Sequence, residues 1–557
     1  MRSKKEKKQK SNWLIKIVTI VIFIVLVAIA INIAPNYIRN EIKGKINLVI
    51  NNNNVTSSLK FDVIVDENEI VYVSTKDIAN FFDGDIYYDN KYDQLITGSD
   101  EKIAVLPLGK KEITVNSVTK TINSVAKKID DNFYIPFSEL STIYNVETKY
   151  NEEKNIVTID SLDRSQINGN ASTNTNIKYK ATTFSKTLDK VQKGENVIVI
   201  ETLDNGWMKV RTARGVVGYT KSVTNIYTVR EEMKKEKQIE GKVSLVWDYY
   251  SEYVSAPDRS GTTINGVNVV SPSFAVLEKL GKGELDINIG EKGKAYVDWA
   301  HNNGYKVWPM ISNNSMKETT SEILNDYKLR EKLINNIVNL AITYNVDGIN
   351  IDFENIYMED KEVFSRFIIE LAPRLREYGK VLSVDVTAPD GSEDWSLCYD
   401  RYKIGEIADY IVFMAYDQNG ATAPKEGTTA GANWVEANIK KFVGQEGVEA
   451  EKIILGMPFY TRLWKETNGQ ITSTVVSMKS IDTTIPSSAQ KVWDDDLKQY
   501  YVEYTSNGST YKMWIEDEES IKAKFDLMNK YKLAGAAYWA KDREISTLWD
   551  VIAEQLK

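Results

Sequence analysis

A chain of 557 residues is too long for one hydrophobic core and implies three or four domains. Its 42% hydrophobic and 27% charged residues suit a globular protein, and a net charge of −8 argues against nucleic acid as a partner. One cysteine, Cys398, excludes an internal disulfide; one histidine, His301, leaves no imidazole cluster for zinc, so both read as structural and neither metal nor cofactor is expected.

The amino terminus carries Arg2, Lys4, Lys5, Lys7, Lys8 and Lys10, then a nearly unbroken apolar run from Ile17 to Ala34. That run is long enough to cross a bilayer as a helix, and its basic flank should stay in the cytoplasm. Residues 1–12 are therefore expected to be a cytoplasmic tail and 13–35 a single-pass signal anchor to the cell membrane, with the remainder outside. A cleaved signal peptide is the alternative, because Ala28-Ile29-Ala30 fits a small-residue cleavage site. The apolar run continues past that site in bulky β-branched residues, which favours the anchor.

Residues 36–164 are strand-rich and repeat themselves. Val71-Tyr72-Val73 with Asp77-Ile78 and Tyr88-Asp89 recurs 62 residues later as Phe133-Tyr134-Ile135 with Glu139-Leu140 and Tyr150-Asn151. Each copy predicts strand, short helix, strand, strand. The pattern resembles the copper amine oxidase N-terminal-like domain, here a stalk without histidine or cysteine to hold copper. Residues 165–178, rich in Ser, Asn, Thr and Gly, read as a flexible linker. Residues 179–227 follow as short strands: Val197 to Ile200, Gly206-Trp207 to Val210, and Gly215 to Tyr219. They resemble a bacterial SH3 domain, in which Trp207 and Tyr219 either fill a small core or meet a wall peptide. Residues 228–240, dense in Lys and Glu, read as a second linker.

From 241 to 557 apolar strands alternate with helical patterns at the spacing of one (β/α)8 TIM barrel, an α/β fold. The predicted strands are Val243 to Trp247, Val267 to Ser271, Lys306 to Ile311, Gly348 to Glu354, Leu382 to Ala388, Tyr410 to Tyr416, Ile453 to Pro458 and Gly535 to Trp539. About 75 residues separate the last two, far beyond a usual connection, and Val492 to Asp494, Gln499 to Tyr504 and Lys512 to Trp514 suggest a small α+β insertion.

The fourth strand is the anomaly. A strand alternates its side chains, so Ile349, Ile351 and Phe353 share one face and Asn350, Asp352 and Glu354 the other. A helical pattern on either side makes it a barrel strand, whose polar face then points inward, where two carboxylates cost several kcal/mol unless satisfied. At about 6.6 Å between Cα atoms, one charge can keep the other carboxyl protonated. On the fifth strand Ser383, Asp385 and Thr387 repeat the inversion.

The run Asp347-Gly-Ile-Asn350-Ile-Asp352-Phe-Glu354 resembles the DxxDxDxE signature of family 18 glycoside hydrolases, the chitinase-like enzymes, in the spelling of their spore-cortex and cell-wall branch. The resemblance implies that Glu354 protonates the leaving sugar. It implies too that Asp352 orients the substrate's 2-acetamido group, whose oxygen attacks the anomeric carbon with retention. Asn350 departs from the pattern, which has an acid there. Met414-Ala-Tyr416-Asp417 is similar to the family's MxYD and Gly456 to Arg462 to its GxPxYGR, with Thr461 in place of glycine. Tyr416 is thereby expected to bond the attacking carbonyl. Asp347, Asn350, Asp385, Met414, Asp417, Tyr460, Arg462 and Trp539 are expected to bind the sugar, Trp539 as a stacking floor. The expected activity is that of a monomer cleaving β-1,4 bonds at N-acetylglucosamine in peptidoglycan. The alternatives are a chitinase and a non-catalytic, lectin-like wall protein.

Overall fold

The computed structural model describes residues 44–233, 238–251, 254–287 and 289–556. The predicted anchor lies outside them; among the described residues no helix is long and apolar enough to cross a membrane. The chain divides into two units at residues 235 and 236.

The first unit contains the predicted repeat as a matched pair. Val71–Ser74 is followed by the helix Thr75–Phe81, and Asn132–Pro136 by the 3-10 turn Phe137–Leu140; the two strands pair antiparallel, Tyr134 opposite Ser74. The acid of each copy does the same work. Asp77 accepts from the backbone N–H of Lys60 (2.6 Å) and Phe61 (3.1 Å), and Glu139 from those of Asn123 and Ser124, both at 2.7 Å. With all histidine and cysteine of the chain beyond residue 300, the donor set here does not fit copper.

The expectation of a linker at 165–178 is overturned. Gln166–Ala171 and Thr175–Lys178 are strands of a seven-stranded sheet that runs on through Val223–Arg230. Ala171 and Ile177 face its core while the Asn and Thr side chains between them stay at the surface, so a half-buried strand reads in composition as a spacer. Gly169 permits the closest approach, since a Cβ there would lie 2.5 Å from Val223. Trp207 is buried, with Lys221 above its ring.

The second unit is the barrel. Its strands are β1 (Val243–Asp248), β2 (Val269–Leu277), β3 (Met310–Ser312), β4 (Gly348–Asp352), β5 (Val381–Val386), β6 (Tyr410–Met414), β7 (Ile453–Pro458) and β8 (Gly535–Trp539). Each pairs in parallel with its neighbour, and β1 with both β2 and β8, which closes the ring. Helices cover the outside, except that the described residues between β1 and β2 form none. There the chain is pinned by Arg259, whose guanidinium grips Asp248 in a bidentate pair.

Two cores divide the barrel wall. Ile349 and Ile351 of β4 and Phe353 just after it are fully buried on the outside, where Phe353 stacks on Phe367 with centroids 5.5 Å apart. Each such side chain contributes about 1.5–3 kcal/mol. On the inside, Leu245, Trp247, Trp308, Met310, Val412 and Ile454 pack together and plug the barrel below its carboxyl end. Gly348 exists for that plug, because a Cβ would meet the Trp308 ring at 2.7 Å.

The insertion is a five-stranded antiparallel sheet in the order Gln470–Ser477, Tyr460–Thr467, Ser509–Ile515, Gln499–Ser506, Lys491–Asp494. Its first two strands were not foreseen. Thr461, buried where glycine is usual in the resembling motif, sits in extended backbone, which suits a β-branched residue, and its hydroxyl donates to the Trp514 carbonyl.

Candidate active site

The polar residues gather at the carboxyl ends of the barrel strands, above the apolar plug. A cleft of about 220 Å³ opens there, lined by Asp352, Glu354, Trp539, Tyr249, Tyr250 and Ser273 among others. Tyr249 and Trp247 both pack against Trp539, at 5.4 and 5.7 Å between centroids, so the ring at the end of β8 is held on two sides.

Asp352 and Glu354 both line this cleft and their side chains interact. Burial raises both carboxyls well above their usual range; the charge of Asp385 adds to Asp352, and the charges of Asp352 and Asp417 add to Glu354. The interaction between the two side chains raises the Glu354 carboxyl further and lowers that of Asp352, which favours Glu354 as the holder of a proton. No lysine or arginine among the described residues offsets either shift. Asp352 Oδ1, buried, has no hydrogen-bond partner. An orphaned carboxylate oxygen is costly, and its cost is recovered only when a ligand donor reaches it.

Backbone clamps fix this tip of β4. The Asn313 amide, fully buried just after β3, donates to the Glu354 carbonyl (2.8 Å) and accepts from its N–H (3.0 Å), while the Tyr399 hydroxyl donates to the Phe353 carbonyl at 2.8 Å. The sequence reading missed both residues. Their signal is position alone, one residue past β3 and in the segment following β5.

Asn350 corrects one expectation. It is fully buried, accepts from the Trp247 indole at 2.8 Å and donates to Asp385 (2.7 Å) and Ser383 (3.0 Å), so it has no surface for a sugar. Asp385, 1% exposed, is likewise sealed; burial raises its carboxyl, against the Asn350 bond, and it reaches the cleft through its charge on Asp352.

Asp347 corrects another. It precedes β4, at the opposite end from Glu354, and binds Lys306 Nζ (3.0 Å), His301 Nε2 (2.8 Å) and the Val307 N–H (3.0 Å). Burial alone would raise its carboxyl, but these donors outweigh burial and hold it below the ordinary value. Its stabilisation is therefore complete above the unfolded carboxylate range and is lost as pH falls through the depressed folded value. Asp347→Asn should cost about 1–3 kcal/mol of stability at neutral pH, measured by denaturant unfolding, and leave kcat per folded molecule unchanged.

The remaining expected residues cluster at the ends of β6 and β7, where the Tyr416 and Tyr460 rings meet edge to face. Met414 is buried on the inward side of β6, beneath Tyr416. Gly456 leaves room for the Tyr416 ring, since a Cβ there would lie 3.3 Å from it. Burial, then Tyr460 and the nearby carboxylates, raise the Tyr416 phenol, which stays a donor. Tyr460 donates to Asp417 at 2.7 Å, and Arg462 lies 4.0 Å from the same carboxylate. Among the described residues no group of His, Cys, Asp and Glu is arranged to hold a metal.

Two interacting carboxyls with raised pKa, a phenol near enough to feel their charge and an aromatic ring in the same cleft can protonate a leaving oxygen and orient an amide at the adjacent carbon. The family model Glycosyl hydrolases family 18 matches residues 245–544, and the model Copper amine oxidase N-terminal domain matches residues 49–159. The uncharacterized glycosylase YvbX of Bacillus subtilis (strain 168) is 26% identical over 302 residues, covering 52% of this chain and 85% of its own. The cortical fragment-lytic enzyme of the same organism is 25% identical over 240 residues, covering 42% and 55%. A solved C-terminal domain from Desulfitobacterium hafniense DCB-2 is 25% identical, covering 57% of this chain and all of that one, with a TM-score of 0.50.

Proposed function

Because the chain belongs to glycosyl hydrolases family 18 through residues 245–544, we propose that it cleaves β-1,4 bonds at N-acetylglucosamine in wall or cortex peptidoglycan, with retention. The observation that carries this is the buried Glu354 and Asp352 pair, which lines one cleft with Trp539 and leaves Asp352 Oδ1 without a hydrogen-bond partner among the described residues. Glu354 gives its proton to the glycosidic oxygen as the bond to the anomeric carbon breaks. The acetamido oxygen of the same sugar closes on that carbon, its N–H held by Asp352 and its carbonyl oxygen by the Tyr416 hydroxyl. Water then attacks, deprotonated by the Glu354 carboxylate, and opens the ring with the original configuration. Orientation can supply about 7–11 kcal/mol of such a barrier, which is why positioning groups outnumber reacting ones.

Peptidoglycan is favoured over chitin by three features: the similarity to the cortical fragment-lytic enzyme, the basic and apolar N-terminal run read as a membrane anchor, and the Trp207 module read as SH3-like. On this reading the catalytic unit works outside the membrane, facing the wall. Chitin is the second reading, supported by 26% identity over 259 residues to chitinase A1 of Niallia circulans. Mass spectrometry of products from muropeptides and chitin oligomers, run side by side, decides between them. A thiazoline analogue of N-acetylglucosamine should inhibit competitively; turnover indifferent to it would sink the substrate-assisted route.

A further inference from the structure

β7 and β8 leave the barrel side by side. Pro458 pairs with Trp539, and the Phe459 N–H donates to the Trp539 carbonyl at 2.7 Å. Tyr460, just past the end of β7, and Arg543, just past the end of β8, then meet, with the guanidinium 5.7 Å from the centroid of the tyrosine ring. The Arg543 main chain is fixed on both sides. Its N–H donates to the Ala540 carbonyl at 3.2 Å, and its carbonyl accepts from the Lys479 N–H at 3.0 Å.

The charge of that guanidinium is uncompensated. Both of its sequence neighbours are acids, but they are committed elsewhere: Asp542 to Arg259 (2.8 Å) and Lys541 (2.7 Å), Glu544 to Lys541 (2.8 Å) and the Trp549 indole (2.9 Å). Arg543 is half-buried, and among the described residues no side-chain hydrogen bond or ion pair takes up its donors. A second guanidinium acts on the same tyrosine: the charges of Arg462 and Arg543 both oppose the effect of burial and Asp417 on the Tyr460 phenol. Arg462 Nη1 donates to Ser473 at 3.1 Å, its Nη2 stands 4.0 Å from Asp417, beyond hydrogen-bond range, and its buried Nε has no partner.

These cations adjoin the reacting groups, since Tyr460 donates to Asp417 and its ring lies 6.2 Å from that of Tyr416. Around Tyr416 the site is otherwise acidic, with Asp385, Asp352 and Glu354 all acting on its phenol. Such a centre repels a negatively charged substrate unless a cation receives the charge, whereas a neutral glycan needs none.

We infer that Arg543, together with Arg462, binds a carboxylate carried on the glycan beside the bond that is cut, and so selects acidic muramoyl substrates over neutral chitin. The inference rests on the reading of the protein as a glycan hydrolase. A guanidinium matches a carboxylate in a bidentate fork, and contact with the Tyr460 ring steadies Arg543 without using a donor. In peptidoglycan the carboxylate is the lactyl group of muramic acid or, where that group is amide-linked, one carried by the stem peptide.

The test is calorimetry on the full-chain Glu354→Gln protein, which reads binding without turnover. The probes are the disaccharide of N-acetylglucosamine and N-acetylmuramic acid, its lactyl carboxamide, and the same disaccharide carrying a stem peptide. The free acid should bind about tenfold tighter than the carboxamide, the worth of one charge-assisted pair at a partly exposed position, and added salt should erode the difference. Adding Arg543→Gln should abolish that preference, and Arg543→Lys should keep part of it. A peptide-bearing fragment that binds as the acid does extends the site to peptide carboxylates; one that binds as the carboxamide does confines it to the lactyl group. In turnover, Arg543→Gln should raise KM for the acidic disaccharide about tenfold more than for a chitin tetramer. Equal affinity for acid and carboxamide in Glu354→Gln overturns the inference, as does a preference that survives Arg543→Gln. Hydrolysis of chitin oligomers but of no peptidoglycan fragment would instead sink the substrate proposed above, and the binding measurements judge the carboxylate site without it.

Discussion

Glu354→Gln should lower kcat on purified peptidoglycan or its fragments by about 10²- to 10⁴-fold, the range a positioned general acid supplies, with KM and fold retained. The amide fills the same space beside Asp352 and keeps the Asn313 clamps, which bind backbone and not side chain. It removes only the transferable proton. Burial and the charges of Asp352 and Asp417 raise the Glu354 carboxyl, so in the native enzyme the neutral acid persists to a pH where an ordinary glutamate is ionised. The alkaline limb of kcat/KM should accordingly lie above the ordinary glutamate range and vanish in the variant. Thermal unfolding should shift upward or not at all, since the substitution relieves a buried carboxylate pair that no cation offsets. Reducing-end release at the native rate would remove Glu354 from the mechanism.

The inward-facing acids were legible because strand period and barrel topology leave them nowhere else to go: Ile349, Ile351 and Phe353 occupy the outer face fully. Asp347 was misplaced by the same pattern. A spelled motif does not say which end of a strand is open, and only the salt bridge to Lys306 and the bond to His301 put it at the closed end. Asn350 was misjudged because sequence shows polarity but not depth; its amide is spent on Trp247, Ser383 and Asp385. Asn313 and Tyr399 carry no motif and act through main chain that any residue provides. The strands at 166–178 hid behind a polar composition, since a sheet with one wet face needs few apolar residues to hold its register. Tyr501 and Trp514 were legible as parts of two strands of the insertion, but only the register sets them opposite each other.

Asp352→Asn separates positioning from proton transfer. If Asp352 steadies the acetamido group, the loss should be about 10²- to 10³-fold in kcat, the worth of one preorganised electrostatic partner in a water-excluded site, with Glu354 still present to donate. The amide can still accept one hydrogen bond through its oxygen, so ground-state binding should change little. What disappears is the negative charge, which matters only as the acetamido nitrogen becomes positive during ring closure. Removing that charge also takes away the largest contribution after burial to the raised Glu354 carboxyl, so the alkaline limb should move to lower pH. A purely structural role for Asp352 predicts otherwise: lowered stability, unaltered limb position and equal losses for every substrate. The thiazoline analogue adds a final discriminator. It carries the ring-closed geometry and a basic ring nitrogen that a carboxylate beside it can hold protonated, so its affinity should fall in Asp352→Asn by nearly the factor lost from kcat, whereas affinity for the intact oligomer should hold. An inhibitor that bound both proteins equally would mean the orphaned Oδ1 faces something other than the reacting amide.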